Sequence, residues 1–84
     1  MNHFTSPSFW ELYEKLPKNL QLLAVHSFNK LKSNENHPSL HLKKVGKYWS
    51  VRIGKKYRAL GVNVNEGVLW FWIGSHAEYD RLIK

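Results

Sequence analysis

Eighty-four residues with 43% hydrophobic and 14% aromatic content suffice for one globular domain, 1–84, whereas a second core would need roughly 50 residues of its own. Thirteen Lys and Arg against six Asp and Glu give a formal charge of +7, which selects anionic partners. The lack of cysteine excludes a disulfide framework, a thiolate metal site and a thiol nucleophile. No stretch approaches the roughly 20 apolar residues of a membrane span, and MNHFTSPSFW lacks a charged segment followed by an apolar run. A soluble, cytoplasmic protein is expected.

The first residues, around His3-Phe4-Thr5, are too short and polar to assign as a strand. From Ser8 the pattern is helical: Ser8 and Glu11 have the spacing of a capping box, and Phe9, Leu12, Tyr13 and Leu16 share one face. Pro17 stops this helix and suits the first position of the next. There Leu20, Leu23, Ala24, Ser27, Phe28 and Leu31 recur at helical spacing as one apolar stripe. The polar segment Ser33–His41, broken by Pro38, reads as a connection. A first strand begins near Leu40–Lys43 and turns at Gly46.

The stretch from Tyr48 to His76 organises the rest. Val51 and Ile53 alternate with Ser50 and Arg52, Gly54-Lys55-Lys56 offers a turn, Tyr57 to Val64 forms the next strand, and Asn65-Glu66-Gly67 offers a second turn. Val68 to Ile73 is apolar throughout, as in an interior strand covered on both faces, with Trp70 and Trp72 in the core. The tail AEYDRLIK forms two turns of helix with Tyr79, Leu82 and Ile83 packing inward. The fold class is therefore α+β: an N-terminal helical hairpin packed on a small antiparallel β-sheet, with a short C-terminal helix.

Between His41 and Arg58 lie Lys43, Lys44, Lys47, Arg52, Lys55, Lys56 and Arg58, with no carboxylate among them. Such a single-sign run interleaved with Tyr48, Trp49 and Tyr57 suits nucleic acid: cations for phosphates and rings for bases. A solvated lysine-rich surface is the plainer reading. Arg58 is the leading candidate, because a guanidinium stays charged and matches phosphate oxygens in a bidentate way. Strict alternation sets it on the face of Leu60, Val62 and Val64, so a bulge near Gly61 or an edge position is expected to free it. His76 stands where the last strand ends and can transfer a proton near neutral pH. His37 and His41 are separated by Pro38 and have no cluster of carboxylates nearby, so no metal site and no cofactor are expected.

With YWSVRIGKKYRALG and WFWIGSHAEYDRLI both in view, the chain resembles the RelE/ParE superfamily of small bacterial toxins from type II toxin–antitoxin systems. The resemblance covers nearly the whole chain. Relatives of the RelE and YafQ kind are metal-independent, ribosome-dependent endoribonucleases, held silent by a cognate antitoxin. The implied reaction is attack of a ribose 2′-OH on the adjacent phosphate of messenger RNA, leaving a 2′,3′-cyclic phosphate. The resemblance implies that Arg58 stabilises charge on that phosphate and that His76 is the general acid. Lys43, Lys44 and Arg52, with Lys55 and Lys56 in the turn, then bind RNA, and Tyr79 contacts a base. His41 and Lys43 are the residues available as a base, neither strongly implied. ParE-type relatives instead inhibit DNA gyrase, and a non-catalytic basic binding protein is the third reading.

Overall fold

The computed structural model describes residues 1–83. Its elements are β1 (Asn2–Thr5), α1 (Pro7–Glu14), α2 (Lys18–Ser33), a 3₁₀ turn at Pro38–Leu40, β2 (Lys43–Val45), β3 (Tyr48–Ile53), β4 (Tyr57–Val64), β5 (Gly67–Ser75) and α3 (His76–Ile83). This is the α+β class read from the sequence. The strands lie in the order β1-β5-β4-β3-β2.

From β2 to β5 the sheet is an antiparallel meander. β1 adds a parallel edge, with Asn2 to Thr5 facing Gly67 to Trp70, so the sheet is mixed. A parallel neighbour requires a long crossover, and the two helices supply it. The N-terminal residues, too polar to mark as a strand, are drawn into the sheet by this pairing. Close docking depends on Gly67, where any side chain would overlap the backbone of Asn2.

The hairpin begins two residues earlier than its pattern suggests. Ser6, not Ser8, is the cap, its hydroxyl accepting from the Phe9 amide at 3.4 Å, with Pro7 in the first turn where its missing N–H costs nothing. Ser8 Oγ instead donates to the Phe71 carbonyl at 2.9 Å. α2 buries Ala24, Ser27 and Leu31, with Leu23 and Phe28 at the margins of the core. Those residues meet Val51, Ile53, Ala59, Trp70 and Ile73 on one face of the sheet, which we call the helix face. The apolar stripe and the strand alternation thus find each other.

β5 is interior, as its composition implies, but its two faces differ. Val68, Trp70 and Ile73 are buried, while Leu69, Phe71 and Trp72 are half-buried. The register shifts between Leu60 and Gly61: Leu60 faces Trp72, Gly61 faces Trp70, and Phe71 is the extra residue. The expected bulge is present, yet it does not turn Arg58 away from Leu60. Arg52 pairs with Arg58, Ser50 with Leu60 and Tyr48 with Val62, so all six stay on the face opposite the helices. The conflict disappears because that apolar alternation belongs to the outer face.

Candidate functional site

Alternation and register divide the outer face into bands running across the strands. Val45, Tyr48, Val62, Leu69 and Phe4 line up as an apolar band. Lys43, Ser50, Leu60 and Trp72 form the next. Arg52, Arg58 and Gly74 form the third. Gly74 is required here, since a Cβ would stand 2.5 Å from the Trp72 ring.

Arg52 and Arg58 are direct cross-strand partners, a placement that ordinarily destabilises through like-charge repulsion. Among the described residues neither forms an ion pair. Backbone carbonyls hold them instead: Arg52 Nε donates to Gly54 at 2.9 Å, and Arg58 Nη1 donates to Tyr57 at 2.9 Å. Burial first, and Arg52 second, lower the Arg58 pKa from its ordinary value, while Tyr79 and Asp80 oppose the shift. A guanidinium keeps its charge under such shifts. The pair is therefore a repulsive, partly desolvated cationic site that a bound anion would relieve.

α3 closes one end of this face. Ser75 and Glu78 cap it reciprocally: the Glu78 amide donates to Ser75 Oγ at 3.2 Å, and Glu78 Oε1 accepts from the Ser75 amide at 3.0 Å. His76 therefore does not enter a loop; it is the first residue of a capped helix, anchored by its amide to the Lys56 carbonyl at 2.7 Å. His76, Tyr79 and Asp80 project together from the helix, as their spacing requires. Tyr79 is 5% exposed, with its ring 6.0 Å from the Arg58 guanidinium carbon and 5.9 Å from the His76 ring. His76 Nδ1 lies 3.0 Å from Asp80 Oδ2, with side chains 45% and 48% exposed.

The sequence-predicted residues separate on this map. Arg58, Arg52 and Lys43 share the outer face; His76 and Tyr79 meet it from α3; Lys55 and Lys56 occupy the adjoining β3–β4 turn, exposed. Lys44 is turned to the helix side, its Nζ 5.1 Å from the Trp49 ring. Tyr79 is not free to stack on a base, because burial makes it the support of Arg58. Leu82, expected to pack inward, is 52% exposed. His41 sits at a left-handed turn before β2, and Lys43 lies one band from the arginines. Asp80 is the residue that sequence reasoning missed as the partner of His76; the H-x-x-x-D spacing, one helical turn, was its signal, as S-x-x-E was for the cap.

α1 and α2 on one face of a five-stranded sheet, with α3 closing one end of the other, define a compact α+β domain. The family is shown by sequence: the model of the ParE-like toxin domain matches residues 18–81, and the chain belongs to that family, within the RelE/ParE superfamily of toxins. Among solved structures, a chain of the RelB–RelE antitoxin–toxin complex from Methanococcus jannaschii is similar in fold, with a TM-score of 0.73 at 10% identity, over 96% of this chain and 99% of that one. No curated protein matches the sequence.

Proposed function

We propose that the protein is the toxin of a type II toxin–antitoxin pair and acts as a metal-independent endoribonuclease on messenger RNA in the ribosome. The observation that carries this reading is the His76–Asp80 pair joined through Tyr79 to the unpaired Arg58. Arg58, with Arg52 opposite, takes the scissile phosphate and stabilises the charge that builds on it as the 2′-OH attacks and loses its proton to solvent. Asp80, 3.0 Å from His76 Nδ1, steadies the imidazolium by its charge and leaves Nε2 to carry the proton delivered to the departing 5′ oxygen. The product is a 2′,3′-cyclic phosphate. Lys43, Lys55 and Lys56 extend the field that draws in the RNA.

The likeness to a chain of an antitoxin–toxin complex supports a cognate antitoxin as the second partner. No helix among the described residues is long and apolar enough to cross a membrane, and the proposed ribosomal target would require the protein to act in the cytoplasm.

A second reading, inhibition of DNA gyrase, is favoured by the ParE-like family match. There the arginine face would be a binding surface and His76 would be dispensable. The test is induction of wild type, Arg58→Ala and His76→Ala in a bacterial host at matched expression, with new 5′ ends mapped on ribosome-bound messenger. New ends with wild type and none with either variant support the nuclease. Arrest with intact messenger and lost supercoiling, unchanged by His76→Ala, supports the inhibitor. Harmless overexpression favours a non-catalytic binding protein.

A further inference from the structure

The nuclease reading accounts for the arginine end of the outer face and leaves the apolar band unused. That band carries no charge: Val45, Tyr48, Val62, Leu69 and Phe4 cross all five strands. Phe71, two residues beyond Leu69 on the same face, joins it, with the Phe71 ring 5.7 Å from the Tyr48 ring and tilted by 52°. Phe4 is 39% exposed, and Tyr48 and Phe71 are half-buried. A soluble domain ordinarily covers such a strip, yet α1 and α2 lie on the opposite face.

Its surroundings are cationic. Lys47 Nζ stands 5.5 Å from the Tyr48 ring, Lys43 lies in the next band, and the arginine pair lies beyond Ser50 and Leu60. No carboxylate is carried by these three bands. From Tyr48 to Arg52 is four residues of strand, roughly 13 Å, a span that a few nucleotides of single strand cover. An acidic peptide would satisfy the cations and leave the ring pair without a partner; a lipid surface would need a convex apolar face. Single-stranded nucleic acid needs both features, phosphates to the cations and a base to the rings.

Building on the RNA reading, we infer that Tyr48 and Phe71 form a base-stacking platform that holds a nucleotide flanking the scissile phosphate, with Lys47 and Lys43 on its backbone. The platform takes the place of Tyr79, whose burial denies it that task.

The test uses a short single-stranded oligoribonucleotide, 2′-O-methylated throughout so that it cannot be cut, with one 2-aminopurine moved along the chain. Wild-type protein quenches the probe at one position. Tyr48→Leu and Phe71→Leu keep apolar volume but remove a stacking ring, and each weakens binding about 10-fold with loss of quenching. Tyr48→Phe binds as wild type. The slope of affinity against salt is unchanged in the leucine variants and shallower in Arg52→Ala, which loses a phosphate contact. Leucine variants that bind and quench like wild type overturn the platform and leave the nuclease reading standing, provided messenger is still cut. Failure of wild type to bind the RNA at all likewise overturns the platform, and whether ribosome-bound messenger is still cut decides the nuclease reading separately.

Discussion

Two histidines in this protein sit beside a carboxylate at nearly the same distance, and their surroundings give them different work. His3 Nε2 lies 3.1 Å from Glu35 Oε2, and His76 Nδ1 lies 3.0 Å from Asp80 Oδ2. The second nitrogen separates them. The indole of Trp70 donates to His3 Nδ1 at 3.1 Å and its ring stacks on the imidazole, so both His3 nitrogens are committed and the side chain is 1% exposed. His3 ties β1 to the core and to the segment after α2. At His76 the carboxylate takes one nitrogen, and the other has no partner among the described residues. A histidine–carboxylate contact by itself does not mark a proton-transfer site; under the nuclease reading it is the free second nitrogen of His76, on the helix that packs against Arg58, that would do so.

The sharpest way to break this comparison is to remove each ring in turn. His76→Ala should lower cleavage by about 10²–10⁴-fold, the usual worth of a positioned proton donor. Its melting temperature should stay near that of wild type, because the side chain is half in water. A variant that still cuts within a few-fold of wild type would remove His76 from the chemistry. His3→Ala should do the reverse. It leaves the buried indole N–H of Trp70 without an acceptor, at a cost of about 1–3 kcal/mol. For a domain of this size that is a fall of about 10 °C in thermal melting, with the folded fraction as active as wild type. Unchanged melting would show that the His3 contacts hold nothing.

The same contrast explains what the sequence revealed. The α2 stripe from Leu20 to Leu31 and the strands from Tyr48 to Ile73 were legible because one period each governs them and a shared core rewards it. Arg58 stood out as a candidate because it ends a carboxylate-free basic run, and His76 because it stands where the last strand ends. His3 was not, since its meaning depends on Trp70 and Glu35, far away in the chain and joined by the parallel pairing of β1. Alternation placed Arg58 correctly with Leu60 and Val62 but could not say which face the helices cover, because that follows from where α1 and α2 cross. The burial of Tyr79 was hidden for the same reason: nothing local shows that α3 folds its ring under Arg58. The Asp80 partner and the Ser75–Glu78 cap were present as spacings and gain meaning once α3 is known to begin at His76.

A smaller effect tests the His76 side of the comparison more finely. Asp80→Asn removes the charge that orients the imidazole. Both side chains are about half exposed, so the coupling should be that of a surface pair, about 0.2–1 kcal/mol, or about 1.4- to 5-fold in cleavage rate. Single-turnover cleavage by this variant, compared with Arg58→Ala, measures it. A loss as large as that of His76→Ala would mean that Asp80 itself carries the proton, and the roles within the pair would have to be exchanged.

The smallest effect concerns the cap that aims α3. Glu78 is held below its ordinary pKa of 4.5, first by the Ser75 amide and then by the Ser75 hydroxyl, both donating to its carboxylate. A carboxyl group with a lowered folded-state pKa contributes stability that is present above the unfolded value and is lost as pH falls through the folded one. Wild type should therefore lose a small increment as the solution is acidified below about 4.5, whereas Glu78→Gln, which keeps the reciprocal geometry but has no charge to lose, should not. Because Glu78 is exposed, the difference near neutral pH should lie at the low end of about 0.3–1 kcal/mol. Paired melts of the two proteins at neutral pH and near pH 3 read it directly: the gap should close in acid. A gap that persists at low pH would assign the stabilisation to the hydrogen-bonded shape of the cap and not to its charge. Tyr79 and Asp80 would then be held in place by geometry alone, with the site around Arg58 indifferent to the state of Glu78.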